Sequence, residues 1–238
     1  MAGQRYPDDD GAADPGAAAA LAAYEAGQGS EHAALLALAG TRLLVPVVAV
    51  LTEEESTATG SGAGRLRREK TSEVRLPLLV GNDGRHAVLA FTCSEALARW
   101  RPDARPVPVP ATEVWQAGAG QASAVVVDVA GPVPLTIEGA RLAALAAGQP
   151  APAPEADPDL LAAADAALAG EPLLAGGTLA AARSGGDVAL LLRLAPGTDP
   201  AGGAVQAAIQ RAAGQLMAAA GGRLRRGVEV TVDGPGAR

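Results

Sequence analysis

The residues whose types are best suited to catalysis lie in "HAVLAFTCSEALARW", residues 86–100, which holds the only cysteine of the chain. Cys93 stands beside Ser94 and Glu95, and His86 begins the same stretch. A thiol with an imidazole base is a usual pair for nucleophilic catalysis, and a thiol in the first turn of a helix can gain thiolate character. A cysteine-dependent enzyme is therefore one hypothesis for this chain.

The same stretch also has a purely structural interpretation. Thr92 and Glu95 have the spacing of a capping box, in which the Thr92 hydroxyl accepts from the amide of Glu95 and the Glu95 carboxylate accepts from the amide of Thr92. His86 lies at the other end of a strand that spans about 20 Å at roughly 3.3 Å per residue, so its ring cannot reach the sulfur. We predict that Cys93 is a helix-start residue, with no catalytic and no cofactor-binding residue in the chain.

No other stretch predicts a metal or phosphate site. Two histidines, one of them His32 in an Ala-rich helix, and one cysteine are too few for the usual zinc site. The carboxylates of "TEEES", residues 52–56, are adjacent rather than spaced around a loop, so we predict a solvated face. "GNDG" and "SGGD" are predicted turns, because no Lys-Ser or Lys-Thr follows them and no G-x-G-x-x-G opens a helix.

Two short arginine clusters, "RLRREK" at residues 65–70 and "RLRR" at residues 223–226, keep RNA association open as an alternative. The formal net charge of -7 and the pI near 4.9 weigh against it, because nucleic-acid binders need a basic face. We predict that the clusters solvate a loop and neutralise a helix C-terminus.

Composition indicates a small-residue globular protein. The 238 residues are 49% hydrophobic but only 2% aromatic, so Leu, Val and Ala must fill the core. Trp100 and Trp115 are the large apolar side chains, and each could lie in the core or in an interface with a partner.

The expected location of the protein follows from three features. A single cysteine favours a reducing cytoplasm, and no signal peptide is apparent. The apolar run at residues 43–51 is shorter than the roughly 18 residues of a membrane span. We expect a soluble, cytoplasmic protein.

The first part of the chain predicts alternating helices and strands. We expect disorder in residues 1–15, helices at 17–26 and 31–39, a strand at 41–51 that contains Pro46, and an extended flexible loop at 52–73. Asn82, Asp83 and Gly84 predict a hairpin turn. After the Cys93 helix come extended residues 105–110, a helix at 111–118, a buried strand at 122–130, an extended piece at 131–137 and a helix at 138–147.

A Pro-rich linker at residues 149–157 is the predicted domain boundary. Beyond it, a helix at 158–169, a hairpin around Ser184, a helix that starts at Asp199 and Pro200, and the alternating strand "GVEVTV" give an αββαβ order. The fold class is therefore α+β, with two small domains at residues 16–148 and 158–238, each a mixed sheet covered by helices.

The ordered set "ALLALAGTRLLVPVVAV", "LPLLVGNDGRHAVLAFTCSEALARWRP", "PVPVP" and "SAVVVDVAGPVPLTIEGARLAALAAG" resembles the N-terminal domain of the bacterial SseB family over about residues 33–148. The segment at residues 157–232 is similar to the C-terminal SseB-like part of actinobacterial members. The resemblance implies a cytoplasmic α+β protein, and the family offers no established catalytic residue to carry over.

These observations favour a non-enzymatic protein-interaction or regulatory module with a protein partner, because no polar constellation converges and sheet edges could accept a strand. The alternatives are a cysteine-dependent enzyme of amino-acid or sulfur metabolism that uses Cys93, and an RNA-associated protein that uses the arginine clusters. Membrane association is not expected, and the oligomeric state is left open.

Overall fold

A computed structural model describes residues 5–47, 78–80, 84–221 and 223–233 of the chain. The predicted loop 52–73, with its acidic and basic runs, and the turn residues Asn82 and Asp83 lie outside the described residues. Within the described ranges, no helix is both long enough and apolar enough to cross a bilayer.

The elements of the first part follow the predicted order closely. Ser30 caps the second helix by accepting from the Ala33 amide at 3.1 Å, and Gly40 ends that helix, as predicted. The helices are α1 (Pro15–Glu25), α2 (Glu31–Ala39), α3 (Ser94–Trp100), α4 (Ala111–Gln121) and α5 (Gly139–Ala146). The strands are β1 (Arg42–Val47), β2 (Leu78–Val80), β3 (His86–Ala90), β4 (Arg105–Pro110), β5 (Ala124–Val127) and β6 (Leu135–Glu138).

Two sheets organise these strands. β1 pairs antiparallel with β4, and Pro46 stands opposite Pro106, so two residues without an amide proton face each other. The larger sheet has the order β2-β3-β5-β6, with β2 antiparallel to β3, as the predicted hairpin requires, and β3 parallel to β5. An antiparallel bridge between Leu44 and Phe91 joins the two sheets.

The two central strands of the larger sheet, β3 and β5, are buried on both faces, which explains their unbroken apolar runs. Val88 faces a core that contains the fully buried Trp115, whereas Leu89 faces a smaller cluster around Phe91. Trp100 packs against Phe91 with ring centroids 5.5 Å apart. Trp115 therefore lies in the core, whereas Trp100 is half-buried and packs over the smaller cluster.

The second part has the predicted αββαβ order: α6 (Pro158–Ala169), β7 (Leu174–Ala180), β8 (Val188–Leu194), α7 (Gly203–Ala219) and β9 (Val228–Asp233). β8 lies between antiparallel β7 and parallel β9. Val228, Val230 and Val232 pack against a second core, as their alternation predicts. The prediction that Asp199 and Pro200 start the last helix is wrong, because the Asp199 carboxylate accepts from the Ala201 amide in a separate turn.

The α+β class is thus confirmed, whereas the division into two domains stays a prediction. A separate hydrophobic core lies on each side of the Pro-rich segment, which includes a short 3-10 turn, Pro154–Ala156. Within the first part the buried Arg141 contacts Glu31, and in the second part Arg223 donates to Asp157, the residue that caps α6, at 3.0 Å. The two parts contact each other through Arg225 of the second part and Tyr24 of the first. Arg225 lies over the ring of Tyr24, 5.0 Å from its centroid.

Residues 9–12 differ from the disorder expected for residues 1–15. The Arg42 guanidinium donates to the Asp9 carboxylate and, at 2.9 Å, to the carbonyl of Ala12. The Ser94 amide donates to the carbonyl of Gly11 at 2.8 Å. The acidic composition that suggests disorder here supplies the counter-charge for a mostly buried arginine.

Candidate functional site

The site is built where two parallel strands end. β3 and β5 are adjacent and parallel, so the residues that follow them, Thr92 and Asp128, emerge at the same edge of the sheet. Cys93 comes directly after Thr92 and opens α3. The region outside the carboxyl ends of parallel strands is where open sheets most often bind ligands, so we treat this edge as the candidate site.

The predicted capping box is wrong. The Thr92 hydroxyl donates to the Asp128 carboxylate at 2.6 Å, and the Thr92 amide donates to the same carboxylate at 2.9 Å. The helix cap is Cys93, whose sulfur accepts from the Ala96 amide at 3.4 Å. Glu95 pairs instead with Arg99, one turn along the helix, at 2.5 Å. A buried carboxylate without hydrogen-bond donors costs more free energy than an uncapped helix end, so both donors of Thr92 bind Asp128.

Asp128 is held in an unusual conformation to make these contacts. It is the one residue other than glycine in the described ranges with a positive φ, 52°. Its carbonyl accepts from the Gly131 amide at 2.7 Å, which closes the turn after β5. Burial raises the pKa of Asp128, and the hydrogen bonds from Thr92 act in the opposite direction. A strained acid with both oxygens bonded to one residue is a rigid part of the site floor.

An open cleft of about 250 Å³ lies over this floor. One wall is α1, which presents small apolar residues, and the other is the first turn of α3. The turn after β5 closes the end of the cleft with Pro132 and Val133. The lining of the cleft includes Ala18, Leu21, Ala22, Glu25, Cys93 and Arg99.

The charged groups of the cleft are mainly acidic. Of the residues that the structure describes, Glu25, Glu95 and Asp128 line it together with one cation, Arg99. Arg99 is already paired with Glu95, whereas Glu25 has no ion pair with any described residue. Glu25 is also the last residue of α1, where a negative charge is unfavourable next to the helix dipole. Its position therefore does not serve the stability of the helix.

The thiol lines the cleft, but neither His32 nor His86 lies there as its base. Cys93 is half-buried, and neither histidine is among the residues of the cleft. His86 begins β3, whereas Cys93 follows its far end, as the strand length predicts. Among the described residues, no group of three His, Cys, Asp or Glu side chains could hold a metal ion. The hydrogen bonds that exist position the floor and the helix rather than activate the thiol.

The C-terminal arginine cluster has the structural role that we predicted for it. Arg223 donates to the carbonyl of Ala220, the residue that caps α7, at 3.2 Å and also pairs with Asp157. Arg225 stacks on Tyr24. Two of its three arginines are thus engaged within the chain, and the other cluster lies outside the described residues.

From the sequence, Cys93 and Thr92 are singled out only as residues at the start of a helix, and neither Asp128 nor Glu25 nor the cleft is predicted. The sequence contains a weak indication of the site: Asp128 directly follows a run of β-branched residues typical of a buried strand, and Gly131 comes three positions later. In the comparison with known families, the model of the SseB protein N-terminal domain matches residues 18–144. No curated protein and no solved structure matches the chain significantly.

Proposed function

The chain belongs to the SseB family through its N-terminal domain, and we propose that it is a non-enzymatic protein-interaction or regulatory module whose partner binds in the cleft beside Cys93. The family match carries no reaction with it, so the support comes from the site. We further propose that the part from Pro158 onward is the C-terminal SseB-like domain of actinobacterial members and that the protein works in the cytoplasm.

The observation that carries this proposal is how the polar groups of the cleft are used. Thr92 gives both of its donors to Asp128, and the sulfur of Cys93 accepts from the helix backbone. Preorganised catalysis needs groups aimed at a reacting atom, whereas these groups are aimed at each other. A rigid floor, small apolar walls and a charged rim are features that bind a partner by shape and charge.

Affinity enrichment with the full chain tests this proposal. The Ala22→Leu variant fills the cleft with a good helix former, and Ala19→Leu makes the same change at an exposed position of α1 outside the cleft. We expect partners that are retained by the parent and by Ala19→Leu to be lost from Ala22→Leu. Equal retention by all three proteins contradicts a role for the cleft.

One observation keeps a cysteine-dependent enzyme as the second candidate: the thiol of Cys93 does line the cleft. Titration with a thiol reagent between pH 5 and pH 9 separates the two candidates. An activated thiol reacts well below the ordinary thiol pKa of about 8.5. A reaction rate that simply follows an ordinary thiol rules out the enzyme.

A further inference from the structure

We infer that the cleft beside Cys93 receives the side chain of a lysine or arginine presented by a protein partner. This inference rests on the proposed function and names the chemistry that the site recognises. It is carried by the size of the cleft, by its apolar wall and by the charge at its mouth.

The size of the cleft fits a side chain rather than a cofactor. Sites for drug-sized ligands and cofactors enclose roughly 300–1,000 Å³, and this cleft holds about 250 Å³ and is open to solvent. Its floor is fixed by the bonds between Thr92 and Asp128, so it does not need to be formed when a partner arrives. A long, narrow occupant that projects from a larger molecule satisfies these limits.

The wall of the cleft matches the stem of a basic side chain. Ala18, Leu21 and Ala22 of α1 face the entrance of α3, where Ala96 completes the apolar surface. Lysine and arginine lay three or four methylene groups along such a surface while their charged end stays near water. A purely apolar side chain also fits the wall, but it leaves the acidic mouth without a counter-charge.

The charge at the mouth selects a cation. The three acids and one arginine in the described part of the lining sum to a formal charge of about -2 when all four are ionised. Glu25 is the acid of the described lining that has neither an ion pair nor a hydrogen-bond donor, and it stands at the end of α1 that disfavours negative charge. A bound cation removes that penalty. The net charge of -7 on the whole chain steers basic partners toward it as well.

Anionic occupants are disfavoured by the same geometry. An anion would meet Glu25 and Glu95 at the rim, and Arg99 is already paired with Glu95. A phosphorylated or acidic peptide therefore serves as the negative arm of the test.

The experiment uses the full chain labelled with ¹⁵N and three blocked pentapeptides with a central lysine, norleucine or glutamate flanked by glycines. We expect the lysine peptide to shift the amides of residues 18–25 and 92–99, to bind more tightly than the other two, and to weaken as salt rises. It should also slow alkylation of Cys93 by iodoacetamide. Glu25→Gln should weaken lysine binding about two- to five-fold, the range of an exposed ion pair.

The matched controls keep the test decisive. Asp165→Asn makes the same change of charge at an exposed position of α6 and should leave lysine binding unchanged. Norleucine binding as tightly as lysine, or equal effects of Glu25→Gln and Asp165→Asn, overturns the inference. If Ala22→Leu loses its partners but the lysine peptide is not preferred, the proposal of a basic side chain is refuted. The proposed interaction function is then still supported. If Ala22→Leu retains every partner, the proposed function fails as well.

Discussion

Replacement of Arg141 by leucine should destabilise the protein strongly at neutral pH. Arg141 is 5% exposed and contacts Glu31, which is 7% exposed, although 110 positions separate them. Arg141 also donates to the carbonyl of Thr136 at 3.0 Å. Removal of one partner from a buried ion pair costs about 3–5 kcal/mol, because the other charge stays buried without compensation. We expect a loss of that size in the free energy of unfolding at pH 7, measured with urea.

The pH dependence identifies the cause. Burial raises the pKa of Glu31 above 4.5, and the charge of Arg141 opposes this shift. An acid with a raised folded-state pKa binds its proton more tightly when folded, so its contribution to stability falls as pH rises from about 4.5 through the folded pKa. Without Arg141 that pKa rises further. The difference between Arg141→Leu and the parent should therefore be small near pH 4.5 and should grow toward pH 7.

Two further variants make this prediction refutable. The double variant Glu31→Gln, Arg141→Leu should lose less than the sum of the single variants, with a coupling energy of about 1–3 kcal/mol. Arg99→Leu removes an exposed pair with Glu95 and should change stability by no more than about 0.5 kcal/mol. A cost below about 1 kcal/mol for Arg141→Leu, or a cost that does not vary with pH, refutes the buried-pair explanation.

Three further predictions concern single positions. A Cβ at Gly118 of α4 would lie 2.3 Å from a methyl group of Val125, so Gly118→Ala should destabilise by about 1–3 kcal/mol. Gly120→Ala in the same helix meets no atom within 4 Å, and thermal melting should show it stabilised by about 0.5–1 kcal/mol; similar effects of the two variants contradict this explanation. Cys93→Ser should stabilise by about 0.5–1 kcal/mol in urea, because a hydroxyl caps a helix better than a thiol, and a loss shows that packing of the sulfur dominates. Three backbone amides of the β7–β8 turn lower the pKa of Glu229 to about 2. The ionised Glu229 carboxylate therefore stabilises the fold above pH 4.5, and this contribution is lost as pH falls toward 2. In Glu229→Gln, the free energy of unfolding in urea should vary less with pH over that range.

Local signals predicted most of the elements because each depends on neighbouring residues. Ser30 and Gly40 mark the ends of α2, and Asp157 with Pro158 opens α6, as the structure confirms. These residues satisfy or terminate the backbone of their own turn, and no distant contact is needed. The alternation of β9 likewise defined its buried face.

The sheet order and the site could not be predicted in the same way. The Asp128 carboxylate meets Thr92 across 36 positions because β3 and β5 are neighbours, and no pattern within either strand indicates that pairing. The position of Glu25 beside the cleft likewise depends on how α1 packs. Contacts of this kind depend on tertiary structure. Here the buried Asp128 carboxylate overrides the local preference of Thr92 to cap α3.

The cap of α3 shows how one distant contact decides the chemistry of Cys93. Had Thr92 capped the helix, the sulfur would have been free to face the cleft as an uncommitted thiol. Asp128 binds Thr92 instead, so the helix begins one residue later and the sulfur becomes the acceptor for the Ala96 amide. The same contact fixes the floor of the cleft. The bond that gives the thiol a structural role therefore also builds the surface on which we propose that a partner binds.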